Sequence, residues 1–271
     1  MQPAKEIRLA AKQTLKTQGW RIFWSAALMW TLSILLGFGV VALFEVADIQ
    51  TWDSFRRASL SAEMQGLAVI PPNFQARLMY TLGTLFEKFV SLTLGGMMVF
   101  GMARLLLMSV EDVRESKVAA AFSGYGYPLG CCWLRLMTGV LVFLWTLLLI
   151  VPGIIAWYRY RQVWYLKSEH PDWGAMRCIR ESGRMMRGYK WRAFCLDCAY
   201  WKEILAPLVL IFGGELLLIM GLGEQEVAGA LIAGGVLVFL ALPLAIWAGL
   251  YLMLGHAVFY RELKTLKGNE P

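Results

Sequence analysis

The chain has 271 residues, of which 58% are hydrophobic and 17% are charged, and its formal net charge is +7. A soluble domain is roughly 45–50% apolar, so this composition excludes a soluble catalytic domain and indicates a multi-pass membrane protein. The basic residues lie beside apolar runs, which is typical of orientation signals and anionic-lipid contacts rather than of nucleic-acid binding. We therefore expect membrane lipids, and not nucleic acid, as partners.

The N-terminal part of the chain predicts two membrane crossings. A basic segment that ends at Arg21 precedes an uncharged run over 22–44, so we expect a cytoplasmic N-terminus and an outward first span. Residues 45–78 then lie outside, and a second span over about 80–109 returns. Residues 4–18 separate basic and apolar side chains at helical spacing, which predicts an amphipathic helix on the cytoplasmic membrane surface.

The middle of the chain contains a predicted reversal. An uncharged stretch occupies 136–158 and is followed by a strongly basic segment. A single crossing would place that basic segment outside the cell, against the positive-inside bias. Proline removes a helical hydrogen bond and glycine permits a tight turn, so we predict a hairpin turn at Pro152 and Gly153. The turn separates a third span over about 131–151 from a short fourth span over about 153–168.

The basic segment predicts a second amphipathic helix on the cytoplasmic surface, over about 171–188. Trp173 lies one turn before Arg177, which predicts a cation–π contact between them. The arginines either bind anionic lipid headgroups or only mark the topology, and both readings stay open. The six basic residues are Arg177, Arg180, Arg184, Arg187, Lys190 and Arg192.

The C-terminal part completes the predicted fold. A fifth span over about 191–220 exits to a short acidic turn that contains Glu224, and a sixth span over about 227–260 re-enters. Basic residues up to Lys267 then keep the C-terminus in the cytoplasm. The prediction is an all-α, polytopic membrane protein with a single integral membrane domain over 1–271. It has six transmembrane helices arranged as three hairpins, with amphipathic interfacial helices on the cytoplasmic side.

Four charged residues fall inside the predicted spans. Arg159 and Arg161 lie on the fourth span, and Asp197 and Glu203 lie on the fifth. A charge at the bilayer centre costs on the order of 3 kcal/mol, so such residues usually pair or line a polar pathway. Their distances from the span ends predict that Arg161 pairs with Asp197 and that Arg159 reaches toward Glu203. These pairs either hold two hairpins together or line a path for a solute, lipid or peptide.

Catalytic and metal-binding motifs are sparse. The pair Cys195 and Cys198 has the spacing of half a zinc site, but zinc requires four ligands and the two histidines are far apart in sequence. The sequence also contains no nucleophile elbow or phosphate-binding loop. We therefore expect a non-enzymatic protein without a metal or cofactor.

Several segments resemble, in order, an uncharacterised family of bacterial multi-pass integral membrane proteins that is described only as a domain of unknown function. The resemblance implies a location in the bacterial cytoplasmic (inner) membrane and brings no established reaction. The segment around Pro152 is also distantly similar to the membrane domain of some glycerophosphodiester phosphodiesterases. The resembling segments are 12–20, 94–105, 121–125, 148–160 (family pattern IPGIIAxxRY), 180–192 (RESxxMMKGxKWR) and 259–263.

The leading functional hypothesis is a protein that handles a lipid or an amphipathic peptide at the bilayer. A secondary transporter of a small solute, or an assembly or structural partner of a membrane complex, is the alternative. A transporter requires a polar cavity that reaches Asp197 or Glu203 near the bilayer midplane. A lipid or peptide handler requires a lateral groove that opens to the bilayer, and an assembly partner requires neither.

Overall fold

The computed structural model describes residues 3–29, 31–32, 35–36, 74–111, 117–221 and 227–268. Within these ranges every regular element is a helix and no strand occurs. Most of the predicted first span and of the outer segment after it lies outside the described residues, and so does the acidic turn at Glu224.

From the second helix onward the helices follow one another closely in sequence, and a 3-10 turn over Ser123–Gly126 precedes the fourth helix. Their bounds are α1 over 4–29, α2 Phe74–Val110, α3 Lys117–Phe122, α4 Pro128–Leu148, α5 Ile150–Tyr160, α6 Val163–Glu169, α7 Ala175–Met185, α8 Lys190–Ala199, α9 Trp201–Gly221 and α10 Val227–Gly268.

Three of these helices contain segments that are long and apolar enough to cross a membrane. The segments are Thr84–Val110 in α2, Pro128–Leu148 in α4 and Ile232–Lys267 in α10. They coincide with parts of the predicted second, third and sixth spans, because a run of about 20 apolar residues is a local property that hydropathy alone reveals. The described part of the chain is therefore helical throughout its regular elements and has the features of a membrane protein.

The predicted amphipathic helix at the N-terminus forms the first half of α1. Its apolar stripe, which includes Ile7, Ala11 and Leu15, is buried in the main hydrophobic core together with Leu254 and Tyr260 of α10. The expectation that this apolar face contacts the membrane surface is wrong, because protein covers it. Helical periodicity shows that a face is apolar but does not identify what packs against it.

The chain reverses three residues earlier than predicted. Leu149 is extended, with φ −166° and ψ 145°, and separates α4 from α5. A Cβ added to Gly153 would lie 2.8 Å from the Cα of Thr146, so the two helices approach closely directly after the turn. Pro152 is the third residue of α5 rather than a turn residue. Proline is tolerated in the first turn of a helix, since an amide there has no intrahelical partner.

The predicted fourth and fifth spans each consist of two helices. A break at Arg161 and Gln162 separates α5 from α6, and Tyr200 separates α8 from α9. With 11 residues, α5 is about 16 Å long, which is about half of the 30 Å hydrocarbon thickness.

Buried and exposed apolar residues divide the molecule into two regions. Helix α1 and the C-terminal halves of α2 and α10 pack with α6 to α8 into the main core. The other parts of the long helices, together with the end of α4 and α5, carry large apolar side chains on their outer surface. Examples are Leu85, Phe143, Leu147, Phe212 and Phe239. This exposed apolar band is the surface that a bilayer would cover.

Candidate functional site: a cavity beside two charge clusters

The first charge cluster is centred on Asp197 of α8. The carboxylate oxygen Oδ2 lies 2.9 Å from Nη1 of Arg161 and accepts a 2.8 Å hydrogen bond from the hydroxyl of Tyr158. Nε2 of His256, on α10, lies 2.6 Å from Oδ1. The predicted pair between Arg161 and Asp197 is confirmed, and the cluster joins α5, α8 and α10.

Two members of this cluster were missed by the sequence reasoning. Tyr158 precedes Arg161 by three residues, a spacing that places two helical side chains on one face and so offered a usable signal. His256 was not singled out, and its side chain is buried. No local pattern connects it with Asp197, since the two are 59 residues apart.

The second cluster overturns the predicted contact between Arg159 and Glu203. Arg8 of α1 pairs with Glu203 instead. Arg159 lies against the ring of Tyr160, with its guanidinium carbon 5.6 Å from the ring centroid. Arg159 and Arg161 are two positions apart, which is about 200° around a helix, so both cannot face α8 and α9.

Aromatic rings surround the Arg8 guanidinium in this second cluster. It lies 5.6 Å from the ring centroid of Tyr200 and 6.0 Å from that of Tyr251. The two rings meet edge to face at 4.7 Å, and the Tyr251 hydroxyl donates a 3.2 Å hydrogen bond to the carbonyl of Arg8. The second cluster thereby fixes α1 to α9 and α10.

A cavity of about 630 Å³ lies beside the first cluster, between α2, α4, α5, α6 and α10. This volume is within the range of about 300–1,000 Å³ that is usual for small-molecule sites. Its walls are mainly apolar and aromatic, and Arg135 and Arg161 are its charged lining residues. Phe143 and Trp157 line it and are themselves exposed, so the cavity meets the surface within the exposed apolar band.

Arg135 of α4 differs electrostatically from Arg161, although both line the cavity. The ion pairs formed by the described residues include Arg161 but not Arg135. The Arg135 guanidinium lies against Gly95 of α2, where an added Cβ would be 2.9 Å from Nη1. A second cavity of about 300 Å³ also includes Arg135 in its lining. The positively charged Arg135 side chain therefore lines two mainly apolar cavities.

Sequence reasoning did not single out Arg135. The available signal was its isolation, because it is the only charged residue between Lys117 and Arg159. A lone charge in a long apolar stretch is a functional-site candidate by default.

The predicted arginine stripe forms the outer face of α7. The Arg177 guanidinium carbon lies 4.1 Å from the Trp173 ring centroid, so the predicted cation–π contact is confirmed. Arg184 pairs with Glu181 at 2.9 Å. Arg177, Arg180, Arg184, Arg187 and Arg192 are exposed, whereas Lys190 is half-buried.

The apolar side of α7 is again covered by protein. Cys178, Ile179 and Ser182 are buried, so the helix exposes mainly its charged side. As in α1, the apolar side of this helix therefore packs against protein rather than lipid.

Comparison with known proteins identifies a family but no activity. Residues 132–267 match the family described as protein of unknown function (DUF975). No curated protein and no solved structure matches the chain. The distant similarity to glycerophosphodiester phosphodiesterases is not supported by any of these matches. The matched region includes Arg135, Arg161, Asp197 and His256, and it spans half of the sequence. The chain therefore belongs to the DUF975 family of proteins of unknown function.

Proposed function

We propose that this protein is a non-enzymatic protein of the bacterial cytoplasmic membrane that binds an anionic amphiphile, such as a lipid, in the Arg135 cavity. The observation that carries this proposal is the combination of apolar walls with a half-buried guanidinium. An anionic headgroup would meet Arg135, and an acyl chain would lie along the apolar wall toward Phe143 and Trp157.

The distribution of basic residues supports an orientation for the whole molecule. Near the C-terminus, Lys264 pairs with Glu169 at 2.8 Å, and Lys267 donates a 3.0 Å hydrogen bond to the carbonyl of Arg184. The end of α10 therefore lies beside the arginine-bearing helix α7. The positive-inside bias places this end in the cytoplasm. With both termini there, six helical passes enter the bilayer as three hairpins, formed by α1 and α2, α4 and α5, and α9 and α10.

The positions of the acidic residues favour an amphiphile over a small polar solute. A transporter was expected to present Asp197 or Glu203 to a polar cavity. Both carboxylates are instead held by arginines, and neither Asp197 nor Glu203 lines the Arg135 cavity. The cavity opens through apolar residues, which suits a ligand that arrives from the lipid phase.

The exposed face of α7 supports a second, weaker lipid contact. Each basic residue near an anionic membrane surface contributes about 1 kcal/mol. We propose that the arginine stripe holds the cytoplasmic end of the protein against anionic headgroups. Replacing Arg180 and Arg187 with Gln should reduce enrichment of anionic lipid around the full-length protein in mixed nanodiscs. If the enrichment of anionic lipid is unchanged, the stripe does not bind headgroups and serves only to set the topology.

The cavity proposal is tested by measuring how the full-length protein retains phosphatidylglycerol over phosphatidylcholine in native mass spectrometry. Replacing Arg135 with Met keeps an unbranched apolar stem and removes the guanidinium and its charge. Because a hydrogen bond to a charged group contributes roughly 1.5–3 kcal/mol, phosphatidylglycerol binding should weaken roughly ten- to a hundredfold.

Arg21→Met is the matched control, since it removes an exposed arginine that lies outside the cavity and outside the arginine stripe. It should keep most of the preference for phosphatidylglycerol. If Arg135→Met folds normally and retains the full preference, the cavity is not the lipid site.

A further inference from the structure

The turn between α4 and α5 is flanked by apolar residues in both helices. Residues 136–158 carry no charge. The five side chains from Leu147 to Val151 are 65–73% exposed. Thr146 is the polar residue nearest to the turn, and its hydroxyl donates a 2.8 Å hydrogen bond to the carbonyl of Val142. A loop that emerged into water would bury none of this apolar surface, so the turn requires a non-aqueous surrounding.

The far end of α5 is fixed against the charged helix α7. The hydroxyl of Ser182 donates a 2.9 Å hydrogen bond to the carbonyl of Arg159. An added Cβ on Gly183 would lie 2.8 Å from Nε of Arg159. Arg180 and Arg184 lie on the outer face of the same helix and are exposed. Charged, exposed residues remain in water or among headgroups, so the Arg159 end of α5 lies at that level.

The length of α5 then limits how deep the turn can reach. Arg159 lies ten positions after Leu149, which corresponds to about 15 Å along a helix. The hydrocarbon core is about 30 Å thick. A turn that reached the opposite interface would pull Arg159, and α7 with it, roughly 15 Å into the hydrocarbon.

The backbone of the turn is suited to a medium without water. Unpaired backbone groups are costly in hydrocarbon. The Leu149 amide donates a 3.2 Å hydrogen bond to the carbonyl of Trp145, and the Leu149 carbonyl accepts a 3.2 Å hydrogen bond from Gly153. Pro152 has no amide hydrogen, which removes one donor at the start of α5, where intrahelical partners are lacking. A single-residue connection thus reverses the chain with few unpaired groups.

We infer that α4 and α5 form a re-entrant hairpin that enters from the cytoplasmic side, turns at Leu149 near the bilayer midplane and leaves on the same side. Its partner surface is the acyl chains of the lipids. The predicted third and fourth spans then form one hairpin that enters the bilayer without crossing it. This inference depends on the orientation proposed above and is independent of the ligand in the Arg135 cavity. It places Trp157, on the cavity rim, among the acyl chains of the cytoplasmic leaflet.

The test uses single added cysteines in the full-length protein and a membrane-impermeant maleimide. Leu149→Cys reports the turn, Glu224→Cys reports the predicted outer turn, and Arg180→Cys reports the cytoplasmic face. In intact spheroplasts we expect labelling of Glu224→Cys only, and in inverted vesicles labelling of Arg180→Cys only, above the background of the native cysteines. Labelling of Leu149→Cys from outside, at the level of Glu224→Cys, would overturn the re-entrant hairpin.

A second measurement separates immersion in lipid from simple lack of reaction. A nitroxide attached at Leu149→Cys should collide more often with dissolved oxygen than with a water-soluble nickel chelate, with the ratio near its maximum for the bilayer. A ratio like that of a headgroup position would contradict the inference. If Leu149→Cys does not accumulate, Leu147→Cys is the replacement, because its side chain is also exposed at the turn.

Discussion

Replacing Asp197 with Ala removes the acceptor shared by Arg161, Tyr158 and His256. The side chains of Asp197 and Arg161 are each 19% exposed, and that of His256 is 3% exposed. Removing one partner of a buried ion pair costs about 3–5 kcal/mol, and this site lies at the lower end because some solvent reaches it. The lost hydrogen bond from Tyr158 costs about 1 kcal/mol more.

We therefore expect Asp197→Ala to lower the free energy of unfolding by about 4 kcal/mol. At about 2–4 °C per kcal/mol for a chain of this size, the Tm of the detergent-solubilised protein should fall by roughly 10 °C. Thermal unfolding followed by tryptophan fluorescence measures this change. Asp197→Asn is the control, because it keeps the acceptor for Tyr158 and the side-chain shape, and it should lose less.

A double-mutant cycle isolates the ion pair itself. Arg161→Met should lower the free energy of unfolding by about 1–3 kcal/mol less in the Asp197→Ala background than in the native protein. In that background Arg161 has already lost its carboxylate partner. The reasoning is refuted if the two changes are additive, or if Asp197→Ala alone shifts the Tm by no more than the scatter between repeats. A stable Asp197→Ala variant that had lost lipid binding would instead assign the cluster to the ligand path.

Two further predictions use matched residues within the same chain. Gly214→Ala should destabilise the contact between α9 and α10 by about 1–3 kcal/mol, because its Cβ would lie 2.8 Å from Cγ2 of Val238. Gly213→Ala meets nothing within 4 Å and should be neutral or slightly stabilising in the same thermal assay; equal effects of the two would show that this contact is not tight. Burial raises the pKa of the Cys178 thiol, with Lys167 opposing the shift, so less thiolate forms at a given pH. At about pH 8 a water-soluble maleimide should modify Cys178 only after unfolding. Mass spectrometry of the labelled protein measures this modification, and labelling of Cys178 in the folded protein would contradict the prediction.

Features with a local cause could be predicted from the sequence. The apolar lengths of α2, α4 and α10 follow from composition, and counting residues from the span ends was sufficient to pair Arg161 with Asp197. The reversal was placed three residues too late, because proline both ends helices and occupies their first turn. Sequence alone does not distinguish these two positions, and the extended residue proved to be Leu149.

Features with a long-range cause could not be predicted. Arg8 and Glu203 are 195 residues apart, and nothing near either residue indicates the other. The apolar stripes of α1 and α7 were correctly recognised as apolar but assigned to lipid, because periodicity does not specify what covers a face. Arg135 was overlooked, since its position against Gly95 depends on how α2 and α4 cross.

The contact between Arg8 and Tyr251 has a consequence for biosynthesis. The two residues are 243 positions apart, and translation proceeds at about 5–20 residues per second, so roughly 10 to 50 seconds pass between their emergence from the ribosome. During that interval α1 has been synthesised but α10, which finally packs against it, has not. The insertion machinery or nearby lipid must shield Ile7, Ala11 and Leu15 until α10 arrives, and a ribosome that stalled before α10 would leave an incomplete chain open to proteolysis.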